Sequence, residues 1–278
     1  MELLLLGTAA AEGWPAPFCE CPHCAEARRR GGPNLRSRSG ALLDDDFKID
    51  YNADTLLHMQ RCGRSLAALR TLVFTHQHAD HIAPDELRRA APPYSQTPPA
   101  QPVAVYGNAQ VISLLRTEFD SFPKANEYFE LHQFEPLLPV TTADGDEILP
   151  LPADHVEGAL VLRITRSAKR GGQTLFYGHD SGLYPAATLD ALEQAGPLDI
   201  ALLDCTSGGL ETINRGHMSV GGVVQMAQEL RARGAFTDAT RVIATHFSHN
   251  GGLLHEELVQ TLLPHRIEVA YDGMVVKV

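Results

Sequence analysis

The run Thr75-His76-Gln77-His78-Ala79-Asp80-His81 sets four metal-binding side chains within six positions. Imidazole nitrogens combined with a carboxylate suit borderline divalent cations. So dense a group cannot all face one ion, but it can divide between two neighbouring ions. A second concentration, Cys19-Glu20-Cys21-Pro22-His23-Cys24, supplies three thiolates. A closed structural zinc site takes four ligands, so the loop needs a partner from elsewhere or from its own His23. Three of five cysteines crowded into one loop suit a metal better than disulfides; Cys62 and Cys205 are left to read as buried thiols.

These residues need elements to hold them. The histidine run follows the apolar stretch Leu72–Phe74 and precedes the helix-like Pro84-Asp85-Glu86-Leu87, so it reads as a strand-to-helix turn at the end of a sheet. Apolar runs expected to be strands recur at Glu2–Leu6, Gly40–Asp44, Arg70–Phe74, Val103–Tyr106, Ala159–Ile164, Thr174–Tyr177, Asp199–Leu203, Arg241–Ala244 and Ile267–Tyr271. Helical patterns lie between several of them. The clearest spans Val220 to Arg233, with Val220, Val223, Val224, Ala227 and Leu230 on one face and Gly234 as its stop. Strands and helices in this order imply a layered α/β protein. Ala91 to Pro102 holds five prolines and reads as a surface loop, a candidate wall of the site.

With 278 residues, 44% apolar and 21% charged, the chain reads as a single domain over 1–278 carrying an N-terminal zinc-binding cysteine loop at 19–24. A net charge of −11 argues against nucleic acid and anionic membrane as partners. The opening Met-Glu-Leu-Leu-Leu-Leu-Gly lacks the basic start of a signal peptide, and no apolar run is long enough to span a bilayer, so a cytoplasmic location is expected. Arg28, Arg29, Arg30, Arg36 and Arg38 form the one basic concentration and read as a solvated face.

The His-X-His-X-Asp-His pattern of residues 76–81 resembles the hallmark of the metallo-β-lactamase superfamily, and the whole chain can be laid along that pattern. The resemblance implies an αββα sandwich and a dinuclear hydrolytic site. It implies that His76 and His78 hold one metal with a later histidine, that Asp80 and His81 hold the second with a histidine near the C-terminus, and that an aspartate bridges both. Placed on this chain, those later ligands are His155, Asp180 and His246, each following an apolar run; His179 is the rival to Asp180. The family's Asp-X-Gly before the cluster is replaced by Asp50-Tyr51-Asn52, where Asn tolerates positive φ and Asp50 reads as a hydrogen-bond acceptor behind the ligands. In Thr245-His246-Phe247-Ser248-His249, one histidine can serve the paired metals while His249 reaches the cysteine loop, with His23 as the alternative fourth ligand.

A cysteine loop of this type with a C-terminal His-X-X-His is similar to the phosphoribosyl cyclic phosphate phosphodiesterases of the carbon–phosphorus lyase pathway. A similar loop occurs in pyrroloquinoline quinone biosynthesis accessory proteins, which lack the full histidine cluster. The resemblance implies two active-site ions, zinc or manganese, one structural zinc, and cleavage of a small anionic phosphodiester by attack of a hydroxide held on the metals. Asp80 and His217 are its catalytic candidates. His217, with Ser219 at the start of the Val220 helix, would contact the phosphate or protonate the leaving oxygen. A lactone or thioester hydrolase of the same fold, a non-enzymatic zinc-stabilised accessory protein, and a homodimer all stay open.

Overall fold

Leu3, Leu4, Leu5 and Leu6 are all buried, which a strand achieves only when both of its faces are covered. In a computed structural model, which describes residues 1–210 and 216–278, that strand lies between a second sheet and a helix. The strands are β1 (Glu2–Gly7), β2 (Gly40–Leu43), β3 (Phe47–Ile49), β4 (Thr71–Val73), β5 (Val103–Gly107), β6 (Phe129–Gln133), β7 (Val140–Thr141), β8 (Glu147–Pro152), β9 (Leu160–Thr165), β10 (Thr174–Gly178), β11 (Ile200–Asp204), β12 (Arg241–Thr245), β13 (Ile267–Val269) and β14 (Val275–Lys277). They form two sheets of seven, ordered β14-β1-β2-β3-β4-β5-β6 and β13-β12-β11-β10-β9-β8-β7.

The helices are α1 (Pro22–Arg30), α2 (Thr55–Cys62), α3 (Ala109–Ser121), α4 (Ala186–Ala195), α5 (Val220–Ala232) and α6 (His255–Leu262). Leu3 and Leu5 join Leu43, Phe47, Leu162 and Phe176 in the core between the sheets. Leu4 and Leu6 point the other way and, with Leu42, pack on Met59 of α2. Val111, Leu115 and Phe119 of α3 cover Leu72, Phe74 and Val105 beside them. Helices α4 and α6 pack on the second sheet, completing the αββα sandwich of the metallo-β-lactamase fold.

Strands β3 to β6 run parallel, as do β10 to β13. Buried on both faces, β10 and β11 are apolar from Leu175 and Ile200 on until Asp204 closes β11. The chain therefore leaves β4, β10, β11 and β12 at strand ends where polar side chains can converge.

The structure departs from the sequence expectation in several places. β8 carries Pro150 and Pro152, which have no N–H to give, and it survives beside the two-residue edge strand β7. The three-residue β3 follows a turn in which Asp44 and Asp45 both take left-handed backbone. Pro84–Ala90 folds as 3-10 turns instead of an α-helix. The Val220 helix forms as expected, with the Ser219 hydroxyl accepting the Gly222 N–H at its N-terminus. Among the described residues no helix is long and apolar enough to cross a membrane.

Candidate metal centre

The turn after β4 delivers His76, His78, Asp80 and His81; the exits of β8, β10 and β12 deliver His155, Asp180 and His246. The structure brings all seven side chains together. His76 Nε2 and His155 Nε2 lie 2.9 and 3.2 Å from His78 Nδ1. His81 Nε2 lies 3.1 Å from Asp80 Oδ2 and 2.8 Å from Asp180 Oδ2, and His246 Nε2 lies 3.1 Å from the same Asp180 oxygen. Asp180 Oδ1 faces the other way, 3.9 Å from His155 Nε2. The arrangement is two groups, His76–His78–His155 and Asp80–His81–His246, with one carboxylate between them.

A test of fit for metal ions lies in the atoms themselves. His81 Nε2, His246 Nε2 and Asp180 Oδ2 are buried, and despite their proximity none has a hydrogen-bond partner. Buried polar atoms rarely go unpaired, and lone pairs that converge on a common point suit a cation. The opposite ring nitrogens are anchored: His81 Nδ1 to Asp50 Oδ2 at 2.7 Å, His246 Nδ1 to the Thr206 hydroxyl at 2.8 Å, and His76 Nδ1 to the Thr75 hydroxyl at 3.1 Å. Such contacts orient ligating imidazoles. His179 is buried behind the group, 3.7 Å from Asp50 and stacked edge-on with Tyr177, so Asp180 and not His179 faces the cluster.

Asp50, Asp180 and His246 all adopt left-handed backbone, with φ of 56°, 52° and 61°. Non-glycine residues pay for that conformation, and it concentrates where a site demands a side-chain direction. The turn expected at Asn52 falls on Asp50 instead; Asn52 uses its side-chain amide to hold the carbonyls of Ser39 and Asp80. Burial alone would drive His81 down, but the Asp180 and Asp50 carboxylates outweigh it and hold its pKa well above the imidazole range. Burial likewise pushes Asp180 up, and His246 and His81 overcome it, leaving the carboxyl well below its usual range.

His217 joins the rim. Its ring lies 5.0 Å from that of His155 and 5.8 Å from that of His246. Its Nδ1 bonds Asp204 Oδ2 at 3.1 Å and lies 3.8 Å from Asp180 Oδ1. Burial lowers His217, but Asp204 wins and raises its pKa to about 9. Asp204, which the sequence reading does not reach, also accepts the Asp180, Thr206 and Met218 N–H groups. The available signal is a carboxylate ending the apolar strand β11. Gly216, at φ 93°, leaves room for His155, since a Cβ there would sit 2.8 Å from His155 Nδ1. The Ser219 hydroxyl caps α5 by accepting the Gly222 N–H. Asn214 and Arg215, which precede His217, lie outside the described residues.

Cys19, Cys21, Cys24 and His249 offer ligand atoms all within 4.8 Å of one another, with His249 Nδ1 3.5 Å from Cys21 Sγ and 3.8 Å from Cys19 Sγ. His23 is not part of this group. Cys21 caps α1, and the Cys24 N–H and its other neighbours overcome burial to bring its thiol down to about 6. Glu12, also beyond the sequence reading, contacts Ser248 and lies 3.8 Å from His249 Nε2.

Three expectations are corrected. Arg36 is buried beneath the loop, bonded to Thr8 and Ala270 and stacked on Phe247, so the basic segment is not uniformly solvated. The proline-rich loop walls a separate cavity of about 260 Å³, lined by Tyr51, Leu66, Leu69, Ser95, Thr97 and Phe129 among others and by none of the clustered ligands. Cys205 is buried as expected, whereas Cys62 is only half-buried.

A family model, the beta-lactamase superfamily domain, matches residues 49–247. Coenzyme PQQ synthesis protein B of Azoarcus sp. (strain BH72) is 26% identical, covering 99% of both chains. Among solved structures, a diphosphatase from the PhnP family superposes with a TM-score of 0.75 at 25% identity, covering 100% of this chain and 97% of the other. Zn(2+)-bound PqqB from Methylobacterium extorquens superposes with a TM-score of 0.79 at 16% identity over 100% of both.

Proposed function

The chain belongs to the beta-lactamase superfamily, and on that footing we propose that it is a dinuclear metal-dependent hydrolase of a small anionic phosphodiester, such as a phosphoribosyl cyclic phosphate. His76, His78 and His155 would hold one ion, Asp80, His81 and His246 the other, and Asp180 both. Bound divalent ions supply a nucleophile at neutral pH and neutralise charge growing on the substrate oxygens. The chain's own part is to set the donors and handle the proton.

The observation that carries the phosphodiester reading is the Asp204–His217 pair at the rim. Asp204 holds Nδ1 and favours the protonated ring, which leaves the other ring nitrogen as a proton donor. A cationic donor there suits an anionic substrate whose leaving oxygen must be protonated. The diphosphatase of the PhnP family, similar over essentially its whole length, supports an anionic, phosphate-bearing substrate. The thiolate group would hold a structural zinc through Cys19, Cys21, Cys24 and His249, with the whole chain forming one domain around the two centres.

A second reading, favoured by the names of the curated relatives, is a role in coenzyme PQQ synthesis, here as a zinc-stabilised accessory protein. The buried unpaired donors of His81, His246 and Asp180 call for a metal ion in either reading, and the proton donor His217, held by Asp204, is what favours hydrolysis. The test is hydrolysis of bis-p-nitrophenyl phosphate and a ribose cyclic phosphate beside a lactone and a thioester. Phosphodiester turnover is expected; turnover of the lactone or thioester alone would overturn the substrate class, and no turnover with full metal content would favour the accessory role.

A further inference from the structure

Strand β3 sends Phe47 and Ile49 into the core between the sheets, so alternation turns Lys48 to the opposite face. Its cross-strand neighbours there are Leu42 on β2 and Leu72 on β4, and each belongs to an apolar cluster covered by a helix. Lys48 is 0% exposed. Burying an ammonium group in such surroundings is costly, and an apolar side chain of similar size would fill the space without that cost. The one hydrogen bond that Nζ makes among the described residues is to the Asp50 carbonyl, at 2.6 Å. The Tyr51 ring, centred 5.6 Å from Nζ, closes the other side.

Asp50 is where the chain most needs holding. It leaves β3 with φ 56°, its N–H donates to the Val73 carbonyl at 2.8 Å, and its carboxylate accepts the Thr75 N–H at 2.9 Å and meets His81 Nδ1 at 2.7 Å. We infer that Lys48 is a positioning residue for the metal centre: by fixing the Asp50 carbonyl it holds the left-handed turn that aims the Asp50 carboxylate at His81. The sequence of contacts is short. Lys48 Nζ holds Asp50, Asp50 holds His81 Nδ1, and His81 presents Nε2 to Asp180 and Asp80. Lys48 touches neither substrate nor donor atoms and acts only through Asp50. The inference rests on the reading that His81 holds a metal.

Lys48→Met, Lys48→Leu as a second apolar replacement, Lys48→Arg and Asp50→Asn are compared with the wild type by titrating metal-free protein with manganese, which thiolates bind poorly. Thermal unfolding is recorded on the same samples. The apolar variants should unfold at or above the wild-type temperature yet bind manganese about tenfold or more weakly, the usual loss when support behind a ligand is removed. Lys48→Arg, which restores a donor, should recover most of that affinity, and Asp50→Asn should lose at least as much as the apolar variants. Wild-type affinity in the apolar variants alongside weakened Asp50→Asn overturns the role of Lys48 and leaves the reading of the centre intact. Wild-type affinity in Asp50→Asn as well overturns the link through Asp50 and with it the role of Lys48, whereas no manganese binding by the wild type overturns the reading of the centre. Apolar variants that lose fold and affinity together, with no recovery in Lys48→Arg, show Lys48 to be structural only.

Discussion

The thiolate group and the histidine–aspartate centre nearly touch along the chain, since His246 serves one and His249 the other. They are nonetheless built in opposite ways. Three of the four thiolate-group donors come from one six-residue loop, and the set is closed. The larger centre draws its donors from the exits of four strands in two sheets, shares one carboxylate between its halves, and leaves His217 at an open rim. A closed set of soft donors stabilises the chain, whereas an open set with a proton donor at its edge does chemistry.

The contrast is broken most severely by Asp180→Ala, which removes the one carboxylate common to both halves. Hydrolysis should fall by at least about a thousandfold, as expected when several kcal/mol of metal-supplied stabilisation is lost. Steady-state turnover checks this, with unfolding temperature as the control for fold. Next, His217→Ala should lower turnover by about 10²- to 10⁴-fold with metal content unchanged. Unchanged turnover would remove His217 from the reaction. Cys21→Ser should act in the other region: the unfolding midpoint drops and one ion is lost, while the remaining folded protein keeps most of its turnover. Equal loss of activity and stability would mean that the two regions do not divide the work.

The smallest effect sharpens the support behind the centre. Burial holds the Lys48 ammonium down to about 7, so above that pH the unfolded chain, with its lysine titrating near 10, binds the extra proton. Stability then rises with pH across that window, and the penalty is fully present below about 7. Urea unfolding at several pH values should show this rise in the wild type relative to Lys48→Met. Parallel curves would mean that Lys48 is not held in its buried place.

What could be read from the chain follows from how local each feature is. His76 to His81 and Cys19 to Cys24 are legible because their donors are clustered, and Leu3–Leu6 announces a strand. His155, Asp180 and His246 become candidates through resemblance alone; one histidine or aspartate after an apolar run has little meaning until the strands are side by side. Asp204 and Thr206 have no spacing to betray them, since their work is to hold other residues' backbone and ring nitrogens. Lys48 is concealed by alternation, which makes a polar residue in a strand look solvent-facing when a helix lies over it. Ser219 shows how little such a position decides by itself, since a hydroxyl before a helix serves as its cap whether or not a phosphate binds there.

The number of ions that each region holds decides whether the two differ in kind. Elemental analysis of the purified wild type, Asp180→Ala and Cys21→Ser would count them directly. About three ions per chain are expected in the wild type, about one in Asp180→Ala and about two in Cys21→Ser. Two or fewer in the wild type, or a loss of the same ions in both variants, would contradict the division into a closed stabilising site and an open hydrolytic one.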